Sequence, residues 1–263
     1  MKSHAILATA LLLAVGAARA DDGITLGIGA DYSSGDYGTT TTTDIWSVPL
    51  SARYTSGDWT WKASLPWMRV SGNAGVVPGL GNVGNLNPNG RGRGRGHAIT
   101  SNDSGSASGI GDLRLSGTYS FAGTGATGVD LTANVKVATA DEDKGLGTGA
   151  NDYGLALDLY RDFSGTTLFG GVGYTMLGDS DYIDTDSVWN ANLGASWAVG
   201  SGSLGVMYDW RAAATETADD RSEVTGFYSI KSGDAAKWQL YATKGLSDGS
   251  PEWGAGVALT YAF

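Results

Sequence analysis

Beyond residue 23 apolar side chains recur at every second position, and the alternation restarts after each cluster of Gly, Ser, Asn or Asp. A period of two marks a β-strand with one apolar and one polar face. The first apolar face reads Ile24, Leu26, Ile28, Ala30 and Tyr32; the second Trp46, Val48, Leu50, Ala52 and Tyr54; the third Trp59, Trp61, Ala63, Leu65 and Trp67. Nine more such faces open at Leu113, Val129, Tyr153, Leu168, Trp189, Leu204, Val224, Trp238 and Ala255. Each strand is about as long as a tilted strand needs to cross a bilayer. Aromatic residues gather at the strand ends, where membrane interfaces would lie.

The connectors alternate in length. Those after the even strands are short: Thr55–Asp58, Ala122–Thr127, Ser164–Thr166, Gly200–Ser203 and Ser232–Ala236. Those after the odd strands are longer: Ser33–Thr43, Ser71–Gly109, Ala140–Ala150, Gly178–Ser187, Ala212–Arg221 and Leu246–Pro251. A soluble sandwich has no reason to sort its loops in this way, whereas a bacterial outer-membrane barrel has short periplasmic turns and long external loops. The pattern predicts an all-β fold, a transmembrane antiparallel up-and-down β-barrel of about twelve strands. It places Arg91–His97 outside the cell and Gly123–Gly125 in the periplasm.

Both ends of the chain agree. Lys2, the apolar run Ala5–Val15 and the Ala18-Arg19-Ala20 site form a secretory signal peptide over residues 1–20, which leaves 21–263 as the barrel with a long outer loop at 71–109. The apolar run is too short to anchor in a membrane. At the other end, Val257, Leu259, Tyr261 and Phe263 share one face, and the chain closes on that aromatic. Tyr261 and Phe263 therefore read as an assembly signal for the barrel-assembly machinery. The implied location is the Gram-negative outer membrane, reached through the Sec pathway, with outer-membrane lipid and lipopolysaccharide as neighbours.

Composition narrows the function. The net charge is −10, and cleavage after Ala20 removes two further positive charges, so no nucleic-acid partner is expected. With 0 Cys in an exported chain there is no disulfide scaffold and no Cys-ligated metal. Beyond the signal peptide the single histidine is His97, in a Gly-rich loop, and neither G-x-S-x-G nor H-E-x-x-H occurs. The chain reads as no enzyme, with no cofactor and no metal. Gly79-Leu80-Gly81-Asn82-Val83-Gly84 spells a dinucleotide fingerprint, but no helix pattern follows it, so it reads as loop.

The alternate residues would line the lumen. The charged ones are Asp31, Arg53, Lys62, Asp112, Arg114, Asp130, Lys136, Asp158, Asp209, Arg211 and Glu223. In one reading opposite charges pair across neighbouring strands and brace a wet interior. In the other they set a transverse field that selects solutes, with Arg53, Lys62 and Arg114 as a positive wall beside Asp112, Asp130 and Asp158. In the outer loop Arg91, Arg93 and Arg95 alternate with Gly, which fits a solvated loop first, and otherwise contact with lipopolysaccharide phosphates or folding inward as a constriction. Acidic clusters at Asp141–Asp143 and Asp179–Asp186 match no EF-hand spacing.

One segment resembles a known family. Gly109-Ile110-Gly111-Asp112-Leu113, the strand Asn134-Val135-Lys136-Val137, and Lys144-Gly145-Leu146-Gly147-Thr148-Gly149 leading to Asp152-Tyr153 are similar to outer-membrane transporters named for the meta-pathway of phenol degradation. Ala138-Thr139-Ala140 stands where that family often has Pro-Thr-Gly. The resemblance implies a barrel that moves small molecules, aromatic or hydrophobic compounds among them, and it brings no catalytic residues. The expected function is passive passage of a small-molecule solute; the rival is a non-conducting structural or surface-interaction barrel with a plugged lumen.

Overall fold

Alternating strands become a closed wall. The computed structural model describes residues 22–93, 100, 103–121, 126–216 and 218–263. Residues 1–20, Arg95, His97 and Gly123–Gly125 lie outside the described residues, and with them the expected signal peptide and part of the expected topology. The strands are β1 (Gly23–Gly35), β2 (Thr43–Ser56), β3 (Trp59–Asn73), β4 (Val76–Val77), β5 (Gly81–Asn82), β6 (Ser104–Ile110), β7 (Leu113–Phe121), β8 (Thr127–Val137) and β9 (Asp152–Asp162). They continue with β10 (Thr166–Met176), β11 (Val188–Val199), β12 (Gly202–Arg211), β13 (Arg221–Ser232), β14 (Ala236–Gly245) and β15 (Trp253–Ala262). Every neighbouring pair is antiparallel, and β1 pairs with both β2 and β15, so the sheet closes on itself. Because β6 and β7 share one position beside β3, the wall is a twelve-strand antiparallel barrel. The small hairpin β4–β5 stands apart from it.

The expected alternation of short and long connectors is present, with the short turns and the free end of β15 at one rim and the long loops at the other. The outward faces are apolar all round, from Leu26 and Leu50 through Leu155 and Leu193 to Leu240; Leu193 is 68% exposed. A water-soluble protein does not present such a continuous belt, whereas lipid is its natural solvent. No helix among the described residues is long and apolar enough to cross a membrane. Aromatic clusters mark both rims. Tyr32 packs on Trp46 and Trp253, and Tyr174 on Trp189, toward the long loops; Trp59 packs on Trp61 and Tyr119, and Tyr261 on Phe263, toward the short turns.

The register slips once. Trp67 pairs with Ile110, but Ser64 pairs with Arg114, so the Gly111–Asp112 step carries one extra residue. Such a bulge reverses which residues face outward. Ile110 and Leu115 are both exposed despite their odd separation. This break in alternation explains why the strand pattern becomes visible only at Leu113. The wall in fact resumes at Ser104, and β3 runs on to Asn73, so the long connection is shorter than 71–109 at both ends.

Candidate transport path through the barrel

Segment 74–93 folds into the long-loop end of the barrel. Its β4–β5 hairpin turns on Gly79 and Gly81, at φ of 89° and 83°, a left-handed region that side chains with a Cβ disfavour. The Gly-rich motif thus forms a tight hairpin turn. Val76 and Val77 point to opposite sides. Val76 packs with Tyr37, Ile45, Met68, Val70 and Leu146; Val77 packs with Leu80, Val83, Leu177, Ile183, Val188 and Ala214. Four of the long loops and the inner face of the wall meet on this hairpin.

Two buried arginines hold it. Arg211, on the inner face at the end of β12, donates to the carbonyls of Gly79 (2.7 Å) and Leu80 (3.0 Å). Arg91, only 4% exposed, donates to the carbonyls of Gly145 (2.7 Å), Asn73 (2.8 Å) and Val76 (2.7 Å). Burial, with Arg93 adding to it, lowers the Arg91 pKa to about 10, so the guanidinium stays charged at neutral pH. Arg93 pairs with Asp103 at 3.1 Å and donates to the Asn87 carbonyl. The side chains of Arg91 and Arg93 are thereby engaged within the protein; Arg95 lies outside the described residues. Between this segment and residues 38–40 remains a polar vestibule of about 350 Å³, edged by Thr39, Asn73, Asn82, Asn85 and Arg93.

One directly opposed pair, Lys136 and Asp152, braces neighbouring strands with opposite charges, and five others do not. Directly opposed residues on adjacent strands carry like charge at Arg53 and Lys62, Arg114 and Lys136, Asp130 and Asp158, Asp209 and Glu223, and Arg211 and Arg221. Direct opposition of like charges is unfavourable. Opposite signs meet at two places. Lys136 lies 3.5 Å from Asp112 and 3.3 Å from Asp152, with Thr148 at 2.8 Å, and Arg221 forks onto Glu223 two residues along its own strand. Asp112 also accepts from the Thr139 and Ala140 amides, so it belongs to this lock and not to a negative wall with Asp130 and Asp158. Arg221 and Asp152 sit just inside strand ends that sequence alternation left among the loops. Further cross-strand braces are hydroxyl pairs, Thr118 with Thr132 and Thr225 with Thr243, each at 2.9 Å. Asp31 faces inward on β1 and is buried.

A further set of lumenal residues escaped the charge-based reading. Tyr160, Phe169, Phe227 and Tyr241 face inward, and each lies over the glycine directly opposite it: Gly128, Gly194, Gly205 and Gly256. Rings laid against glycines hug the wall instead of crossing the lumen. The cross-strand pairing of inward aromatics with inward glycines was a signal available in the sequence once register was known. Among the described residues no group of three or more His, Asp or Glu converges as a metal site requires.

The model of the family described as "Putative MetA-pathway of phenol degradation" matches residues 17–263. None of the curated proteins matches the chain. Among solved structures, the KdgM porin is similar at a TM-score of 0.55 and 8% identity, over 91% of this chain and 99% of that one. The translocator domain of the autotransporter NalP from Neisseria meningitidis gives 0.53 and 12%, over 99% and 96%. The Ralstonia pickettii toluene transporter TbuX gives 0.50 and 12%, over 93% and 90%. At such identities these likenesses concern the barrel fold.

Proposed function

The chain belongs to the MetA phenol-degradation family, and from that premise we propose that it is an outer-membrane channel through which small aromatic or otherwise hydrophobic molecules diffuse passively. The long loops face outward in this reading, and the short turns face the periplasm. The observation that carries it is the composition of the inner wall. Inward residues of an aqueous pore are polar, yet Ile45, Met68 and Val70 face inward beneath the vestibule and join Val76 in an apolar cluster. Along β2 and β3 a solute would pass from the polar vestibule to apolar contacts and then meet Arg53 and Lys62 nearer the short turns. The description of TbuX as a toluene transporter is compatible with that solute class. The reading involves no chemical step.

One observation favours a second reading. The hairpin is held by two buried arginines and packed on both faces, which suits a barrel that is closed at rest or purely structural. Conductance of the purified barrel in planar bilayers, with uptake of radiolabelled toluene by Gram-negative cells expressing the full chain, separates the two. Uptake above empty cells supports the channel. Absence of uptake and of unitary conductance, in wild type and after deletion of Gly79–Gly84, would leave the structural barrel.

A further inference from the structure

The hydrogen-bond ladder of the wall is interrupted on β2. Pairing of β1 with β2 runs to Ile28 opposite Leu50, stops, and resumes at Asp31 opposite Ser47. The unpaired residues are Gly29 and Ala30 on one strand, Val48 and Pro49 on the other. Pro49 has no N–H to give to the ladder, and prolines are not found inside a continuous sheet without such a break. On its other side β1 pairs with β15 without interruption through Gly29 opposite Ala258 and Ala30 opposite Val257. The interruption at Gly29 and Ala30 is therefore confined to the β2 side of β1.

What fills this seam is slight. The Pro49 ring covers Gly29, its Cγ 3.2 Å from where a side chain there would begin. Beside it, on the lumenal side, lies a small void of about 20 Å³ edged by Gly29, Asp31, Pro49, Ser51 and Ser64, with Ile28 and Leu259 behind it. Pro49 is opposed on β3 by Pro66, where the next ladder also lacks pairs. That second break is tied, by the Gly111 amide to the Pro66 carbonyl at 2.8 Å and by the Thr139 hydroxyl to the Gly111 carbonyl at 2.9 Å.

The seam also lies at the end of an apolar track. Along the inner face of the β2–β3 pair run Val70, Met68 and Pro66 on one strand, with Ile45, Ser47 and Pro49 on the other; Ser47 is the one polar member, and the upper end is covered by Val76 and Leu146. The track starts at the apolar cluster under the vestibule and descends to Pro49. Below it the inner wall becomes charged, at Arg53 and Lys62. An apolar solute on this track gains nothing by going on toward those charges, because shedding its contacts there exposes apolar area to water. The lipid-facing side of the seam, Ile28, Ala30, Val48 and Leu50, offers the better solvent.

We infer that the β1–β2 seam at Gly29–Pro49 is a lateral portal through which an apolar solute leaves the barrel into the membrane, without passing Arg53 and Lys62 below it. The inference rests on the channel reading above and adds the exit route and the solute's polarity.

The absence of cysteine from the chain makes the test clean. Ala30→Cys with Val48→Cys places thiols on directly opposed residues of the open seam; Ile24→Cys with Tyr54→Cys places them on the same strands where pairing is intact. The probe is radiolabelled toluene, taken up by Gram-negative cells expressing each full-length variant, before and after oxidation. Oxidation of the seam pair should lower toluene uptake at least fivefold, and dithiothreitol should restore it, while the control pair changes nothing and potassium chloride conductance stays the same in both. Pro49→Ala, which returns an N–H to the ladder, should lower uptake in the same direction and serves if the cysteine pair does not fold. Wild-type uptake no faster than that of empty cells would overturn the hydrophobic-solute reading and the portal with it. Undiminished uptake through the oxidised seam, or through folded Pro49→Ala, would overturn the portal alone.

Discussion

Arg211 reaches from the barrel wall to the carbonyl of Gly79, 132 residues earlier in the chain, and closes a 2.7 Å hydrogen bond. The bond joins the wall to the tip of the inserted hairpin, and the Leu80 carbonyl takes the second arm of the same guanidinium. In Arg211→Ala both carbonyls lose their donor inside a buried site, which costs on the order of 1–3 kcal/mol for an unsatisfied polar group. The barrel itself, held by its ladder, should still migrate as a folded, heat-modifiable species. Single-channel recording should show more frequent or larger openings than wild type. A conductance trace indistinguishable from wild type would mean that Arg211 does not hold the hairpin closed.

The ring of Phe227 against Gly205 predicts a different phenotype. A methyl group at residue 205 would run into the ring, and Phe227 is among the most buried side chains of the interior. Gly205→Ala should therefore destabilise the barrel by roughly 1–3 kcal/mol through overpacking, read as an earlier urea midpoint for loss of the heat-modifiable form. Gly226→Ala is the matched control, because nothing lies within 4 Å of the added methyl there. Equal midpoints for the two variants would remove any structural role for the aromatic–glycine contact.

The fold was largely legible because lipid leaves a simple trace: apolar residues every second position, aromatics at the ends, connectors sorted by length. The twelve wall strands follow from it. Two kinds of feature were hidden. Where the register slips at Gly111–Asp112 the alternation inverts, and Ser104–Ile110, with small residues on both faces, carries no apolar stripe to announce a strand. The interior was hidden for another reason. Ile45, Met68 and Val70 fall on the face that alternation assigns to polar residues, and their partner Val76 comes from a segment with no period at all. The lumenal charges were legible as inward-facing, but not their partners: strand register, which no single-strand pattern contains, sets Arg53 against Lys62 and Asp130 against Asp158.

The free end of β15 gives a prediction about assembly. The Phe263 amide donates to the Ile24 carbonyl at 2.9 Å, closing the last rung between the two ends of the barrel, while its ring meets Tyr261 and is otherwise exposed. Phe263→Asp keeps the backbone rung but puts a charge at the lipid interface and removes the aromatic pair. Folded barrel in the outer membrane, measured as the heat-modifiable fraction, should fall well below wild type. Thr260→Ala and Ala258→Ser, on the inner face of the same strand, should leave it near normal. Equal folded fractions for Phe263→Asp and wild type would show that assembly does not read this residue.

The last prediction concerns the charged half of the lumen. Arg53 and Lys62 face each other directly, and Lys237 on β14 lies within electrostatic reach of Arg53. Asp130 and Asp158 form an acidic pair on β8 and β9, which β7 separates from β3. Grouping like charges stabilises nothing in the wall, so its consequence is a field across the lumen. Arg114 belongs less to the positive group than its place in sequence suggests, because Lys136 beside it is already bound to Asp112 and Asp152. Arg53→Ala combined with Lys62→Ala should move the reversal potential in a salt gradient toward cation preference. Asp130→Asn with Asp158→Asn should move it the other way, and lipid-facing Leu131→Ala should not move it. The two double variants separate field from fold, since both relieve a like-charge contact and both should leave the barrel as stable as before or more so. Shifts of the same sign in the two, or none in either, would mean that ions passing through this barrel do not sense the charges on its short-turn half.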